Sequence, residues 1–183
     1  AKDELDAAYV AELYDRMSKL SYQLGKYKLA LQEAQKATNL YRELAKAEPM
    51  VFIPSLSMVL NNLSVLLDAL GQRESALKAI KESIAFQRIL AYEDPENFNS
   101  YLSISLNSLA NALSSIGNEE DALEAVKEAV SLQRKNSENH SQLFDPYLAG
   151  FLNNLSNRLS ASNQKQAAAE AIIEATEIYR KLA

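Results

Sequence analysis

LNNLSVLLDALGQRESALKAI, residues 60–80, decides the fold. Leu60, Leu63, Leu67 and Leu70 recur at intervals of three and four, which lays one apolar stripe along a helix. Gly71 then stops that helix, because glycine enters the left-handed conformation of a helix C-terminus without steric cost. Beyond it Ala76, Leu77 and Ile80 start a second stripe at helical spacing. The stretch reads as two antiparallel helices joined by a tight turn.

Working outward, the same pattern returns. Gly25, Gly71 and Gly117 stand 46 residues apart, and the next position on that lattice is Asn163, the other residue type that tolerates a left-handed backbone. Pro49 and Pro95 also differ by 46, and Pro54 and Pro146 by 92. The stripe of residues 60–70 recurs as Leu106, Leu109, Leu113 and Ile116, and as Leu152, Leu155 and Leu159. Small residues hold fixed places: Ser18, Ser64, Ala110 and Ser156 on the first helices, and Ala30, Ala76, Ala122 and Ala168 on the second. Such hairpins cannot bury both faces alone, so neighbours must stack into an all-α solenoid. The expected units are about 9–54, 55–100, 101–146 and 147–183. The expected helices span roughly 4–24, 26–47, 55–70, 73–92, 100–116, 119–136, 146–162 and 164–182, with the prolines placed in connections between units.

Leu60, Leu63, Ser64, Gly71, Ala76, Ile80 and Ser83 fall where the tetratricopeptide repeat family places its signature residues, and the chain resembles that family along its whole length. LNNLS at 60–64 and 152–156, with LNSLA at 106–110, is similar to the long repeats of kinesin light chains. The family's usual unit is about 34 residues. The surplus is expected to lengthen each second helix, through QRILAY at 87–92 and its equivalents, and the connection after it. The resemblance implies a right-handed superhelix of four antiparallel helix-turn-helix repeats. Because the last helical pattern has no polar capping helix after it, the array reads as a segment of a larger protein. Weak end-to-end self-association is the accompanying expectation, through the apolar side of Ala168, Ile172 and Ala175.

Composition narrows the function. A chain that is 48% hydrophobic and 23% charged is globular rather than disordered. Nineteen Lys and Arg against 24 Asp and Glu, without a basic cluster, argue against nucleic acid and anionic membranes as partners. MVFIPSLSMVL, residues 50–60, is the most apolar run, and it is interrupted by Pro54 and two serines and reads as too short to span a bilayer. No cysteine is present, which excludes disulfides and thiolate chemistry and fits a cytoplasmic setting. The single His140 sits in a polar connection with no second ligand nearby in sequence. The glycines are single and punctuate helices, so no phosphate-binding loop exists. Neither catalytic residues nor a cofactor are expected, and metal ligands are not either.

The resemblance implies that the first helices line a concave groove. It projects Asp15, Asn61, Asn107 and Asn153 into one row, Lys19, Val65, Asn111 and Asn157 into a second, and Met58, Ile104 and Gly150 into a third. Tyr22 and Ser114 belong to a row beyond these. A carboxamide both donates and accepts, so the asparagine row would suit either a peptide backbone or a bond to the adjacent helix. Family members that grip a peptide carboxylate use Lys and Arg in this place, and this chain offers chiefly Lys19, with Arg16 and Arg158 near the edge. Arg42, Arg88, Arg134 and Arg180 also recur at the 46-residue spacing and read as ion pairs to neighbouring helices. Phe52, Phe98 and Phe144 read as lids over the junctions between units. The expected function is a non-enzymatic scaffold binding a protein or peptide. The other reading is a sensor region of a larger signalling ATPase.

Overall fold

The computed structural model describes residues 2–139 and 141–182, so His140 lies outside the described residues. Among them the regular structure is helical: α1 (Lys2–Gln23), α2 (Tyr27–Ala47), α3 (Pro49–Ala69), α4 (Arg73–Glu93), α5 (Pro95–Ser115), α6 (Glu119–Asn139), α7 (Ser141–Ala161) and α8 (Lys165–Leu182). Consecutive helices pair as hairpins, as the 46-residue pattern requires. The chain forms two compact units, Ala1–Gln87 and Arg88–Ala183, with the division inside α4.

All four hairpin turns have the same construction. Gly25, Gly71 and Gly117 sit at φ +71°, +74° and +83°, and Asn163 takes the same place at φ 59°. In the second hairpin the Gly71 amide donates to the Asp68 carbonyl at 2.9 Å, and the Gln72 amide reaches back to Leu67 at 2.8 Å. Gly25, Gly117 and Asn163 with their following residues repeat both bonds, the paired arrangement that satisfies the orphan carbonyls of a helix end. The turn brings the two helices into close approach where the sequence is small. Ala30, Ala76 and Ala122 have no exposed surface, and Ala168 is buried as well. The Ser18 hydroxyl donates to the Ala30 carbonyl at 2.9 Å, and Ser156 does the same to Ala168 at 2.8 Å.

The helices are longer at their starts than the sequence pattern suggests. α3, α5 and α7 begin five or six residues before the expected positions, and the connections between units shrink to single residues, Glu48 and Asp94, where both flanks are described. Pro49 and Pro95 are the reason, since they occupy the first helical position, where a missing N–H costs nothing. Asp94 closes one helix with its amide on Leu90 and opens the next with its carboxylate on the Asn97 amide. Pro54 and Pro146 lie inside α3 and α7, each at the sixth residue. The surplus length therefore extends both helices of a repeat, and Phe52, Phe98 and Phe144 stand on helices rather than in connections.

α3 is also a correction to the apolar run 50–60, because it is one continuous helix of 21 residues, long and apolar enough to cross a membrane by length and composition. In this structure Phe52, Leu56, Leu60, Leu63 and Leu67 of α3 are buried in the core of the first unit with Ala30, Ala34, Tyr41 and Leu44. Burial holds the Tyr41 phenol above its ordinary pKa, with Glu12 and Asp15 pushing the same way and a hydrogen bond with Ser55 opposing. In the second unit Leu106, Leu113, Val126, Ala129 and Leu152 occupy the corresponding core.

Three of the four recurring arginines are ion-paired across hairpins. Arg42 Nη2 meets Glu82 Oε2 at 2.6 Å, Arg88 meets Glu128 at 2.7 Å, and Arg134 meets Glu174 at 2.5 Å. Each pair joins residues 40 positions apart.

The turns provide a direct check. Gly71→Ala places a Cβ at φ +74° and is expected to cost about 1–2 kcal/mol, although space for the atom is open. Asn163→Gly, at the one turn without glycine, should raise stability by a few tenths of a kcal/mol or more. Urea denaturation of both variants against the parent measures the two signs.

Candidate functional site

The candidate residues stand on the first helices of the hairpins, where the apolar stripe turns toward the second helix and leaves the opposite face outward. In the first unit α1 and α3 form an open recess of about 190 Å³, lined by Lys19, Tyr22, Asn62, Val65 and Leu66 among others. Lys19 and Val65 are thus brought together. Lys19 Nζ donates to Asp15 Oδ2 at 2.6 Å, and Asp15 Oδ1 accepts from Asn62 Nδ2 at 3.0 Å. The one cation of the rows is therefore neutralised by its own neighbour. Arg16 is likewise near Glu12, at 3.6 Å. Met58 and Val65 are exposed apolar side chains, and Asn61 is half-buried and hydrogen-bonded or otherwise engaged.

In the second unit the same rows run along α5 and α7. Asn107 Oδ1 accepts from Asn154 Nδ2 at 2.9 Å, the counterpart of the Asp15–Asn62 bond. Asn111 Oδ1 accepts from Arg158 Nη2 at 3.2 Å, while Arg158 Nη1 donates to the Ser114 hydroxyl at 2.6 Å and Ser114 in turn donates to Glu119. Arg158, which the sequence places near the edge, is thus held within its own unit. Asn153 and Asn157 are exposed. Gly150 is half-buried on α7, with no atom within 4 Å of where a Cβ would stand, so the helix leaves open space there.

Ile104 lines a cleft of about 340 Å³ between the starts of α5 and α7, with Tyr101, Leu143, Phe144 and Tyr147. Gln133, almost wholly buried, forms its floor, accepting from the Ser103 hydroxyl at 2.7 Å and donating to the Phe144 carbonyl at 3.2 Å. The arrangement offers aromatic and aliphatic walls with a satisfied amide beneath them. Glu96, Asn97 and Ser100 complete the lining, so a carboxylate and neutral polar groups stand beside the apolar walls.

Two features escape a reading by single rows. Asn62 and Asn154 are the second residues of the LNN doublets, and each donates to the preceding repeat's Asp15 or Asn107. The doublet itself was the available signal, since a row and its neighbour shifted by one position share a 46-residue period. The cleft at Tyr101 and Tyr147 depends on the early helix starts, which the prolines hide.

A family model described as tetratricopeptide repeat matches residues 56–96, 103–141 and 148–183. No curated protein sequence matches the chain significantly. Among solved structures, BtubC (BKLC) from P. vanneervenii superposes with a TM-score of 0.76 at 18% identity, over 94% of this chain and 64% of that one. A Podosopora anserina putative kinesin light chain repeat protein gives 0.69 at 20% identity, over 93% of this chain and 75% of that one. Aspartyl phosphate phosphatase F from Bacillus subtilis gives 0.77 at 16% identity, over 95% of this chain and 41% of that one. The chain thus spans less than two thirds of the first and third of these, and at such identities the likeness is one of fold.

Asn107 tests the weight of the amide contacts. Asn107→Ala leaves the half-buried Asn154 amide without its acceptor and should lower stability by about 0.5–1.5 kcal/mol. Asn153→Ala, at the exposed position of the same row, should change little. Thermal melts of the two variants separate them.

Proposed function

The chain belongs to the tetratricopeptide repeat family, and from that premise we propose that it is a non-enzymatic scaffold that binds a protein or peptide on the face of its first helices, which the family's geometry makes concave. One observation carries the reading: in each unit the recess on that face is lined by residues of the groove rows, Lys19 and Val65 in the first and Ile104 in the second. Both recesses have more apolar than polar character, and the charges beside the first are internally paired. Recognition would therefore come from apolar side chains of the guest seated beside Val65 or Ile104, with exposed Met58, Asn153 and Asn157 setting selectivity at the margins. A free peptide carboxylate is a poor guest, because Lys19 and Arg158 already have partners.

Random peptides displayed on phage and selected on the 183-residue chain provide the probe. Met58→Asp and Val65→Asp change exposed positions and should leave the melting temperature nearly unchanged. Each is expected to weaken selected peptides by roughly tenfold. Ile89→Asp, at an exposed position on α4, should leave them within about twofold. Peptides that bind Met58→Asp, Val65→Asp and the corresponding Ile104→Asp variant all as tightly as the parent would overturn the reading.

A further inference from the structure

The cleft between the starts of α5 and α7 carries an unbalanced charge. Among the described residues Glu96 is its one charged lining residue, and it is exposed and has no ion-pair partner. In the first recess, by contrast, Lys19 and Asp15 cancel one another at 2.6 Å. Asp94, the cap of α5, adds a second negative charge close by, since its carboxylate accepts from Asn97 Nδ2 at 2.7 Å. That bond leaves Asn97 Oδ1 as a carbonyl acceptor in the lining. The start of α5 contributes about half a positive charge, which the two carboxylates outweigh. The cations nearest the floor residue Gln133 in sequence are placed elsewhere. Arg134 is paired with Glu174, and Lys135 stands about 200° around the helix from Gln133.

The walls favour one kind of cation. Tyr101 on α5 and Tyr147 on α7 are 40% and 50% exposed, and an exposed ring face attracts positive charge. Ile104 and Leu143 give the same cleft its aliphatic surface. A long side chain with an alkyl stem and a cationic head meets all of these features at once. The stem lies on Ile104 and Leu143, the head covers a tyrosine face, and its hydrogen bonds go to Glu96 and Asn97 Oδ1. Arginine fits better than lysine, because a flat guanidinium stacks on a ring while its edge pairs with a carboxylate.

We propose that this cleft receives an arginine side chain of the guest, with Glu96 as its counter-ion. The inference rests on the peptide-binding reading above and narrows it: the apolar part seated beside Ile104 is the alkyl stem of a basic residue. A chain of net charge −5 also attracts such a guest at a distance.

Random peptides displayed on phage, selected in parallel on the parent and on Glu96→Gln, test the assignment. Glu96 is exposed, so the variant should melt nearly as the parent does. Peptides selected on the parent should share an arginine that selection on the variant does not enrich. One such peptide is then synthesised with arginine and with citrulline, which keeps the shape and loses the charge. On the parent the exchange should weaken binding by roughly tenfold, and on Glu96→Gln by no more than about threefold. An equal penalty on both proteins, or no shared arginine among parent-selected peptides, overturns the assignment. If those peptides still lose affinity on Met58→Asp, Val65→Asp or Ile104→Asp, the arginine assignment alone falls. Peptides indifferent to all three overturn the groove reading along with it.

Discussion

The close approach of two helices at an alanine carries the structure. Ala30, Ala76, Ala122 and Ala168 are buried where the second helix of each hairpin meets the first. Opposite them stand Ser18, Ser64, Ala110 and Ser156, all buried. At two of these crossings a serine hydroxyl bonds the alanine carbonyl, so the small side chain also feeds a helix backbone acceptor that is already engaged once. A methyl group at this point sets the distance between helix axes, and that distance decides whether Leu60, Leu106 and Leu152 reach their neighbours. The turn glycines serve the same end. They reverse the chain in three residues, which puts the small positions of both helices in register.

Stacking between hairpins has a different division of labour. Apolar burial supplies the stability, since each fully buried leucine is worth roughly 1.5–3 kcal/mol. The polar contacts supply register. The arginine–glutamate pairs are a third to a half exposed, and exposed pairs contribute about 0–1 kcal/mol each. The amide bonds from Asn62 and Asn154 to the preceding repeat act likewise on the first helices. A hairpin shifted by one turn would keep much of its apolar contact but lose both sets. The amide contacts that fix the stacking thus lie on the same helices as the proposed binding face, and Asp15, Asn107 and Asn111 are partly spent on them.

Most of this is legible in the sequence because its causes are local and periodic. Left-handed backbone at a helix end demands Gly or Asn, and Gly25, Gly71, Gly117 and Asn163 mark the four turns without ambiguity. The burial of the alanines and the pairing of the arginines follow from the same lattice. The prolines mislead because one residue type has two meanings. Pro49 and Pro95 open helices instead of interrupting them, and Pro54 sits in the second turn of α3, where tertiary burial of Phe52 and Leu56 outweighs the missing hydrogen bond. The candidate face was legible as rows, while the partners within it were not. A hydrogen bond from Asn154 to Asn107 depends on the offset between neighbouring hairpins, and a period reports spacing along the chain without reporting that offset.

Stability measured by urea denaturation on Ala122→Leu tests the central claim most directly. Three added carbons at a crossing with no exposed surface should cost about 1–3 kcal/mol, since the helices must part or strain to admit them. Ala85→Leu, the same change at an exposed position of α4, should stay within about 0.5 kcal/mol of the parent. A leucine at position 122 accepted as easily as one at position 85 would contradict the account, because the helix separation would then not be set at the alanines.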